Sequence, residues 1–163
     1  MSDALAAAIP NFAMVDADLW RGARPDRAGA VLLAHRGVKT AINLEWEQSD
    51  DDAFAGLPVK LVRLADFEPI PLVAPWLADQ HVVDFIATLR REAKPAFVHC
   101  RSGQNRTGVA VAAYRLLVKR EAIDAVIADF DSYGGAWQWG DNQYLRTLPP
   151  RAGELMARIA SAI

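Results

Sequence analysis

The order of strands and helices in the sequence predicts an α/β domain with a central, mostly parallel sheet of four to five strands and helices on both faces. Short apolar runs of strand length alternate along the chain with longer segments whose apolar residues recur at helical spacing. The chain has 163 residues, 52% of them hydrophobic, which is enough for one domain with a buried core. It contains no repeat, low-complexity tract or long linker. We therefore expect residues 1–163 to form a single domain.

The elements follow one another with short connections, after a first stretch up to about residue 16 that we expect to be irregular. The predicted strands are residues 19–21, 38–44, 59–64 and 96–99. The predicted helices are residues 26–36, 76–92, 106–118, 122–130, 142–148 and 152–162. Prolines at positions 69, 71 and 75 indicate a loop over residues 65–75, the acidic residues 45–52 indicate a solvated loop, and residues 134–140 form a Gly- and Trp-rich loop.

Charge and composition exclude several function classes. The net charge is −2, whereas general nucleic-acid binding needs a basic footprint. An anionic substrate must therefore be bound by a local cluster of positive groups. No apolar stretch approaches the roughly 18 residues of a membrane span, and the first ten residues lack the basic start of a signal peptide.

The chain has one cysteine, so it forms no internal disulfide and no cysteine-rich zinc site. Its three histidines, at positions 35, 81 and 99, lack metal-ligand spacing. We expect no metal and no cofactor. A single thiol suits a reducing compartment, which together with the absence of a membrane span predicts a soluble, cytoplasmic protein. We also expect a monomer.

The segment that carries the chemistry runs from His99 to Gly108 and reads HCRSGQNRTG. A strand ends at Cys100 and a helix begins near Arg106, so the connecting loop can curl until successive backbone N–H groups face one point. Such a nest beside a helix N-terminus binds anions, and Gly103 permits the backbone geometry that the curl needs. The same positive field favours the ionised, nucleophilic form of a cysteine thiol.

Arg106 lies six residues after the cysteine and can return to the mouth of this loop. Its planar guanidinium can pair with phosphate through two parallel hydrogen bonds, which lysine cannot do. A hydroxyl from Thr107 or Ser102 can donate to the sulfur when it becomes a leaving group. The side chains and amides expected to surround a bound phosphate belong to Arg101, Ser102, Gly103, Gln104, Asn105 and Thr107.

This segment resembles the signature loop of the protein tyrosine phosphatase superfamily, in which His-Cys is followed by five residues and then Arg-Thr or Arg-Ser. Two further stretches, LWRG at residues 19–22 followed by Pro25 and GVKTAINL at residues 37–44, look like the opening of bacterial and fungal dual-specificity members. The resemblance implies a phosphatase-like fold, Cys100 as nucleophile, Arg106 as phosphate clamp, and His99 as a residue that holds the loop. A side chain that merely ends a strand is the alternative for His99.

The family mechanism also implies an acid, an Asp on a separate loop some thirty residues before the cysteine. Asp66 lies 34 residues before Cys100 (100 − 66) and opens the proline-containing loop. This chain has Leu64-Ala65-Asp66 where the tyrosine-specific members have Trp-Pro-Asp, which favours the dual-specificity branch. Glu68 is the alternative acid, and a turn residue is the alternative role for Asp66.

Four further residues have two alternative roles each. Gln143 loosely resembles the late glutamine that positions the hydrolytic water in tyrosine phosphatases, although an exposed helix position is the more economical interpretation. Trp137 and Trp139 can form a pocket wall or pack over the core. Arg21 can line the site from the first strand or form a surface salt bridge.

The predicted function is hydrolysis of phosphomonoesters through a phosphocysteine intermediate on Cys100, with a phosphorylated protein or a small phosphomonoester as substrate. Three alternatives remain at this stage. The first is a non-catalytic phosphate-binding module of the same fold, and the second is a phosphatase of phosphoinositides or inositol phosphates. The third is another enzyme with a catalytic cysteine loop, a sulfurtransferase or an arsenate reductase, although arsenate reduction usually needs further thiols.

Overall fold

The computed structural model describes residues 3–65, 73–136 and 138–163. Its five strands form one sheet in the order β1-β2-β5-β3-β4. The strands are β1 (Ala13–Met14), β2 (Leu19–Ala23), β3 (Thr40–Asn43), β4 (Lys60–Arg63) and β5 (Ala96–Cys100). The short β1 is antiparallel to β2, and all other neighbours are parallel.

The parallel register places the carboxyl ends of four strands at one edge of the sheet. In the centre, β5 pairs with β2 on one side, where Cys100 lies opposite Ala23, and with β3 on the other, where His99 lies opposite Asn43. Open sheets of this class bind their ligands at this edge. The segment predicted to carry the chemistry therefore begins where the fold provides a binding crevice.

The described residues contain seven α-helices, of which α1 precedes the first strand and the others lie between or after the strands. They are α1 (Asp3–Ala8), α2 (Arg27–His35), α3 (Pro75–Arg91), α4 (Asn105–Leu117), α5 (Ile123–Ser132), α6 (Gln138–Arg146) and α7 (Ala152–Ser161), with a short 3₁₀ helix (Pro149–Arg151) before α7. Asp26 caps α2, since its carboxylate accepts a hydrogen bond from the backbone N–H of Gly29. None of these helices has both the length and the hydropathy needed to cross a bilayer.

The chain divides into two compact units. The first comprises Met1–Phe67 with Glu92–Thr107, and the second comprises Glu68–Arg91 with Gly108–Ile163. In the first unit, α1 contacts α2 and the apolar side chains from both helices and the sheet form one buried cluster, which includes Leu5, Ile9, Leu33, Val38 and Phe97. In the second unit, α3 contacts α7 and α5 contacts α6.

The predicted α/β class and the mostly parallel sheet are confirmed. The predicted strands and the predicted helices from residue 26 onward are present, with ends that differ by up to four residues, which is the usual uncertainty of a boundary. The largest difference is at α6, which begins at Gln138, inside the loop predicted over residues 134–140. The expectation of an irregular start is wrong: residues 3–8 form α1, whose Leu5 is buried, and residues 13–14 pair with β2 as β1. Both elements are stabilised by packing and pairing with later parts of the chain, which no local pattern reveals.

Candidate active site

The loop that follows β5 is anchored at both ends by regular structure. Cys100 is the last residue of β5 and is 2% exposed. Helix α4 begins at Asn105, so residues 101–104 form the connecting turn, called the phosphate loop below. Arg101 and Ser102 are exposed, Gly103 is buried, and Gln104, Asn105 and Arg106 are half-buried. The structure thus places the predicted site residues from His99 to Thr107 in one continuous strand, loop and helix start.

Three successive carbonyl oxygens of the phosphate loop accept hydrogen bonds from residues of the N-terminal part of the chain. The backbone N–H of Arg24 donates to the oxygen of Arg101 at 3.4 Å. The side-chain amide of Asn11 donates to the oxygen of Ser102 at 2.8 Å. A guanidinium nitrogen of Arg21 donates to the oxygen of Gly103 at 2.7 Å.

Gly103 is required by the close approach of two backbones. Its φ is +73°, in the left-handed region, and a Cβ there would lie 2.5 Å from the carbonyl carbon of Gly22 and 2.6 Å from the nitrogen of Ala23. Both distances are shorter than any real contact, so a side chain at residue 103 would push the phosphate loop off β2. The glycine predicted from the need for a curl is therefore also the residue that lets the loop lie against the sheet.

Arg106 is held in place by a residue that the sequence analysis did not single out. Its two terminal nitrogens donate to the two carboxylate oxygens of Glu47, each at 3.0 Å, and one of them lies 3.5 Å from the backbone oxygen of Leu44. These hydrogen bonds lower the pKa of Glu47. A planar fork paired in this way has little freedom to rotate, which keeps the guanidinium oriented.

The acidic loop, residues 45–52, is not the freely solvated segment that its composition indicated. Asn43, at the end of β3, accepts from the backbone N–H of Glu45 at 2.7 Å and donates to the oxygen of Gln48 at 2.8 Å. Arg63, at the end of β4, donates to the backbone oxygens of Glu45 and Trp46 at 3.0 and 2.7 Å. The ends of two strands therefore hold the loop that carries Glu47.

His99 is fully buried and lies between two carboxylates. Its Nε2 is 2.8 Å from Asp50 and its Nδ1 is 3.9 Å from Glu45. Its ring also stacks on Phe97, with centroids 5.7 Å apart. These contacts agree with a role in holding the strand end beside Cys100 and go well beyond those of an ordinary strand terminus.

Glu45 is a buried carboxylate with incomplete pairing. Its side chain is 0% exposed, and its oxygens lie 3.5 Å from Arg24 and 3.9 Å from His99, without a hydrogen bond from any described residue. Burial raises the pKa of Glu45, and the positive charge of Arg24 offsets part of that effect. Arg24 is itself oriented by a hydrogen bond to Gln48 of the acidic loop.

The hydroxyls proposed to assist the sulfur differ in their surroundings. Thr107 is fully buried, and its Oγ1 has no hydrogen-bond partner among the residues that the structure describes. A buried hydroxyl without a partner costs free energy. Ser102, by contrast, is exposed. The arrangement favours Thr107 over Ser102 as a donor.

The remaining candidates are divided between described and undescribed parts of the chain. Asp66, Glu68 and Trp137 lie outside the described residues. Gln143 is exposed on α6, as expected for an ordinary helix-surface residue. Packing of Trp139 over the core is wrong, because this side chain is 58% exposed, and a surface salt bridge of Arg21 is wrong, because Arg21 is 2% exposed.

Three of the residues that sequence reasoning missed share one signal. Glu45, Glu47 and Asp50 belong to the acidic run that follows Asn43, and the run begins where a strand parallel to β5 ends. Polar residues that follow parallel strands meet at one edge of the sheet. Asn11, by contrast, lies in a stretch with no pattern that could have indicated its contact.

A family model described as "DSP-PTPase phosphatase fused to NAD+ Kinase" matches residues 5–134. The chain belongs to this family. The match covers most of the chain and contains the described site residues from Asn11 to Thr107, whereas Trp137, Trp139 and Gln143 lie beyond it. The predicted resemblance to dual-specificity phosphatases is therefore confirmed, and the chain is a member of the DSP-PTPase class.

Curated relatives of this DSP-PTPase are named as phosphatases. The dual specificity protein phosphatase TpbA of Pseudomonas aeruginosa strain UCBPP-PA14 is 29% identical over 139 residues, which cover 83% of this chain and 58% of the relative. The inositol diphosphatase DSP5 of Arabidopsis thaliana is 23% identical over 146 residues, covering 83% of this chain and 68% of the relative. The chain thus spans somewhat more than half the length of TpbA.

Solved structures support the same fold for this DSP-PTPase. The crystal structure of P. aeruginosa TpbA matches with a TM-score of 0.76 at 23% identity over 94% of this chain and 92% of that chain, and a further TpbA structure is a complex with pTyr. The catalytic core of the PP-IP phosphatase SIW14 from S. cerevisiae matches with a TM-score of 0.71 at 17% identity over 90% and 93% of the two chains.

Proposed function

We propose that this chain hydrolyses phosphomonoesters through a phosphocysteine intermediate on Cys100. The observation that carries the proposal is the oriented guanidinium of Arg106, held by Glu47 at the start of α4, next to a loop that begins at the buried thiol. A fixed planar fork beside a helix N-terminus is suited to a tetrahedral dianion. Membership in the DSP-PTPase family supports the same chemistry.

In the first step the Cys100 thiolate attacks phosphorus, the S–P bond forms and the P–O bond to the substrate breaks. Arg106 and the amides of the phosphate loop neutralise the charge of the transferring group. The leaving alkoxide or phenoxide takes a proton from Asp66, which comes three positions after Arg63, the last residue of β4, in the sequence. Glu68 is the alternative proton donor.

In the second step water attacks the phosphocysteine, the S–P bond breaks and inorganic phosphate leaves. The ionised Asp66 takes a proton from that water, and the thiolate is regenerated. The buried Thr107 hydroxyl is the group proposed to donate to the departing sulfur, which explains a hydroxyl without another partner among the described residues. No metal or redox partner enters either step.

The substrate class that the site favours is an aryl phosphate such as phosphotyrosine. Trp46 is 65% exposed and stands directly between Glu45 and Glu47, so its indole is available beside the loop that orients Arg106. An exposed indole can stack on a substrate ring. TpbA has been crystallised with pTyr, which is consistent with this choice.

Inositol polyphosphates are the second candidate, because DSP5 and SIW14 are named for such substrates. Their dense negative charge requires a broad basic surface. Here Glu47 lies against Arg106, and the same loop carries Asp51 and Asp52, so its negative charge repels a polyanion. A binding module without catalysis remains the third candidate.

The decisive experiment is Cys100→Ser assayed with p-nitrophenyl phosphate and with a phosphotyrosine peptide. We expect turnover to vanish while inorganic phosphate still binds, because the serine hydroxyl is a far weaker nucleophile in the same anion site. Substantial residual turnover would exclude the phosphocysteine mechanism. Phosphate binding by the unmodified chain without any hydrolysis would instead establish the binding module.

The acid is tested by leaving-group dependence. Asp66→Asn should reduce kcat strongly for phosphoserine, whose alkoxide needs a proton, and much less for p-nitrophenyl phosphate. Glu68→Gln serves as the matched variant two residues along the same segment. If the leaving-group dependence follows Glu68 rather than Asp66, the assignment moves to Glu68.

The aryl preference is tested by Trp46→Ala on a panel of phosphotyrosine peptide, phosphothreonine peptide and inositol hexakisphosphate. We expect kcat/KM to fall for phosphotyrosine and to stay near its original value for phosphothreonine. Trp76→Ala and Trp139→Ala, at tryptophans that are 70% and 58% exposed in the second unit, are matched controls. A preference for the inositol phosphate in the unmodified chain would reverse the choice of substrate.

A monomeric chain in a reducing, cytoplasmic compartment completes the proposal. It rests on the single thiol, which needs to stay reduced for the chemistry above. Sedimentation of the purified chain tests the first part, and fractionation of the cells that produce it tests the second.

A further inference from the structure

We propose that Asn11 and Arg21 are positioning residues that set the anion affinity of the phosphate loop. The proposal rests on the function proposed above. Asn11 lies between α1 and β1, Arg21 lies on β2, and they precede their loop partners by 91 and 82 residues. Neither residue needs to touch the substrate, because each acts on a backbone carbonyl of the loop.

The argument begins with the geometry of the peptide group. In a planar trans peptide the C=O and the N–H point in opposite directions. The oxygens of Arg101, Ser102 and Gly103 are all directed to donors from residues 11–24. The following N–H groups, those of residues 102, 103 and 104, therefore point away from that side. Consecutive N–H groups turned to one side form an anion-binding nest.

Asn11 makes its hydrogen bond to the phosphate loop from a backbone conformation that most residues avoid. Its φ is +58°, in the left-handed region that most L-residues avoid and that Asn tolerates best among them. The residues around it fix its position: Ile9 is fully buried, and the oxygen of Pro10 accepts from the N–H of Ala23 at 2.8 Å. An exposed residue held in this conformation is best explained by the hydrogen bond that its amide makes to Ser102.

Arg21 places a charged guanidinium at a buried strand position, where packing alone would favour an apolar side chain. It stands in the middle of β2, opposite Val98 of β5, and is 2% exposed. Burying a cation is costly unless hydrogen bonds compensate it. Its 2.7 Å bond to the oxygen of Gly103 supplies such a bond, and it places positive charge behind the loop that must bind an anion.

Asn11→Gly is the sharpest test. Glycine adopts a φ of +58° without strain, so this change removes the amide donor and leaves the backbone undisturbed. The full chain is assayed for KM and kcat with p-nitrophenyl phosphate and for the inhibition constant of orthovanadate. We expect KM and the vanadate inhibition constant to rise roughly two- to tenfold, the loss of one hydrogen bond, while the melting temperature stays near that of the unmodified chain.

Arg21→Lys keeps the positive charge but removes the planar guanidinium. We expect vanadate affinity to fall on the order of tenfold or more, which is a larger loss than in Asn11→Gly. The matched control is Arg27→Lys, since Arg27 also donates to two backbone oxygens, those of Ala53 and Ala55, away from the phosphate loop. Asn142→Ala controls for the loss of an amide, because Asn142 pairs with Asp131 in the second unit. Both controls should match the unmodified chain.

Cys100 provides an independent reading, because it is the sole cysteine. Its alkylation by iodoacetamide in the presence of inorganic phosphate should be faster in Asn11→Gly, because a loop that binds the anion more weakly leaves the thiol less well covered. A residue that served only the fold would not change this rate while the melting temperature is preserved.

The outcomes separate the two proposals. If the unmodified chain neither hydrolyses p-nitrophenyl phosphate nor binds vanadate, the proposed function fails and this inference falls with it. If the unmodified chain is active and Asn11→Gly retains its KM, vanadate affinity and alkylation rate, the inference alone is overturned. If Arg21→Lys does not fold, the result for Asn11→Gly decides.

Discussion

At the scale of single residues, the pairing of Arg106 with Glu47 is the contact on which the site depends most directly. Glu47 fixes the plane of the guanidinium through two parallel bonds of 3.0 Å to its terminal nitrogens. In the proposed mechanism the phosphate therefore meets another edge of the guanidinium, the one that carries Nε. A carboxylate that is about one-third exposed contributes modestly to stability. Its importance lies in alignment, which affects turnover more than folding.

We therefore expect Glu47→Gln to lower kcat/KM for p-nitrophenyl phosphate roughly three- to tenfold. An amide can accept only one of the two hydrogen bonds, and its NH₂ group opposes the guanidinium. Glu121→Gln is a suitable control, because Glu121 pairs with Arg115 through two nitrogens in the second unit, at 2.9 and 2.6 Å. Equal kinetics in Glu47→Gln and the unmodified chain would show that Arg106 does not need this partner.

The pKa shifts of Glu45 and Glu47 have opposite signs, so the two side chains should affect the pH dependence of stability in opposite directions. Folding raises the pKa of Glu45 above its ordinary 4.5 through burial, so its contribution to stability is full below pH 4.5 and is lost as the pH rises through the raised value. Folding lowers the pKa of Glu47 through its bonds from Arg106. That contribution is present above pH 4.5 and is lost as the pH falls through the lowered value.

The change in melting temperature caused by Glu45→Gln should accordingly be more favourable at pH 7.5 than at pH 4. For Glu47→Gln it should be more unfavourable at pH 7.5 than at pH 4. The two variants, separated by one residue, serve as controls for each other in a thermal melt at both pH values. A Glu45→Gln variant that loses more stability at pH 7.5 than at pH 4 would mean that Arg24 and His99 hold Glu45 in its charged form.

At the scale of elements, the contact between the phosphate loop and β2 determines how close the loop can lie to the sheet. Gly103 combines a φ of +73° with a Cβ position that would overlap the backbone of Gly22 and Ala23. Gly56 has a similar φ of +72° and open space around it, and Gly153 has open space on α7 and no positive φ. The three glycines therefore separate backbone strain from steric overlap.

In the alanine series we expect Gly153→Ala to raise stability by up to about 1 kcal/mol and Gly56→Ala to lower it by about 1–2 kcal/mol. Gly103→Ala should be destabilised by more than Gly56→Ala and should lose at least about tenfold in kcat/KM, because the loop must move away from β2. Denaturant unfolding and steady-state kinetics measure the two effects. If Gly103→Ala resembled Gly56→Ala in both, the close approach of the two backbones would be unimportant.

The elements also show what a single sequence could and could not reveal. The strand, loop and helix from Ala96 to Leu117 were predictable, because an apolar run, a polar turn and a helical pattern follow one another without ambiguity. The helix α1 was not, since its six residues are too short to be stable alone and depend on the burial of Leu5. The prediction of a solvated acidic loop was wrong because it also depended on distant contacts: the charges of the loop suggested solvent, whereas its hydrogen-bond partners lie at the ends of β3 and β4.

At the scale of the whole molecule, the parallel sheet assembles a site from segments far apart in the chain. The acidic loop follows β3, Arg63 ends β4 and Cys100 ends β5, and these three parallel strands end at one edge of the sheet. The sequence could indicate that these segments follow strands. It could not indicate the order β1-β2-β5-β3-β4, which brings Asn11 and Arg21 to the phosphate loop and depends on packing between distant parts of the chain.

The chain has one cysteine in 163 residues, which determines how it should respond to oxidation. We expect hydrogen peroxide to abolish phosphatase activity, because a thiolate oxidises readily, and inorganic phosphate to slow the loss by occupying the site. With no second thiol in the chain, the sulfenic acid cannot be protected as an internal disulfide and should proceed to sulfinic and sulfonic acids. Early treatment with dithiothreitol should restore activity, and late treatment should not.

Peptide mass mapping provides the control, because Met14 is 53% exposed and will also gain oxygen in peroxide. The loss of activity should follow oxidation at Cys100, which is 2% exposed and reached through the anion site, and not oxidation at Met14. Phosphate should protect Cys100 and leave Met14 unaffected. Activity that survives complete oxidation of Cys100 would contradict both this prediction and the phosphocysteine mechanism, since the oxidised sulfur can no longer attack phosphorus.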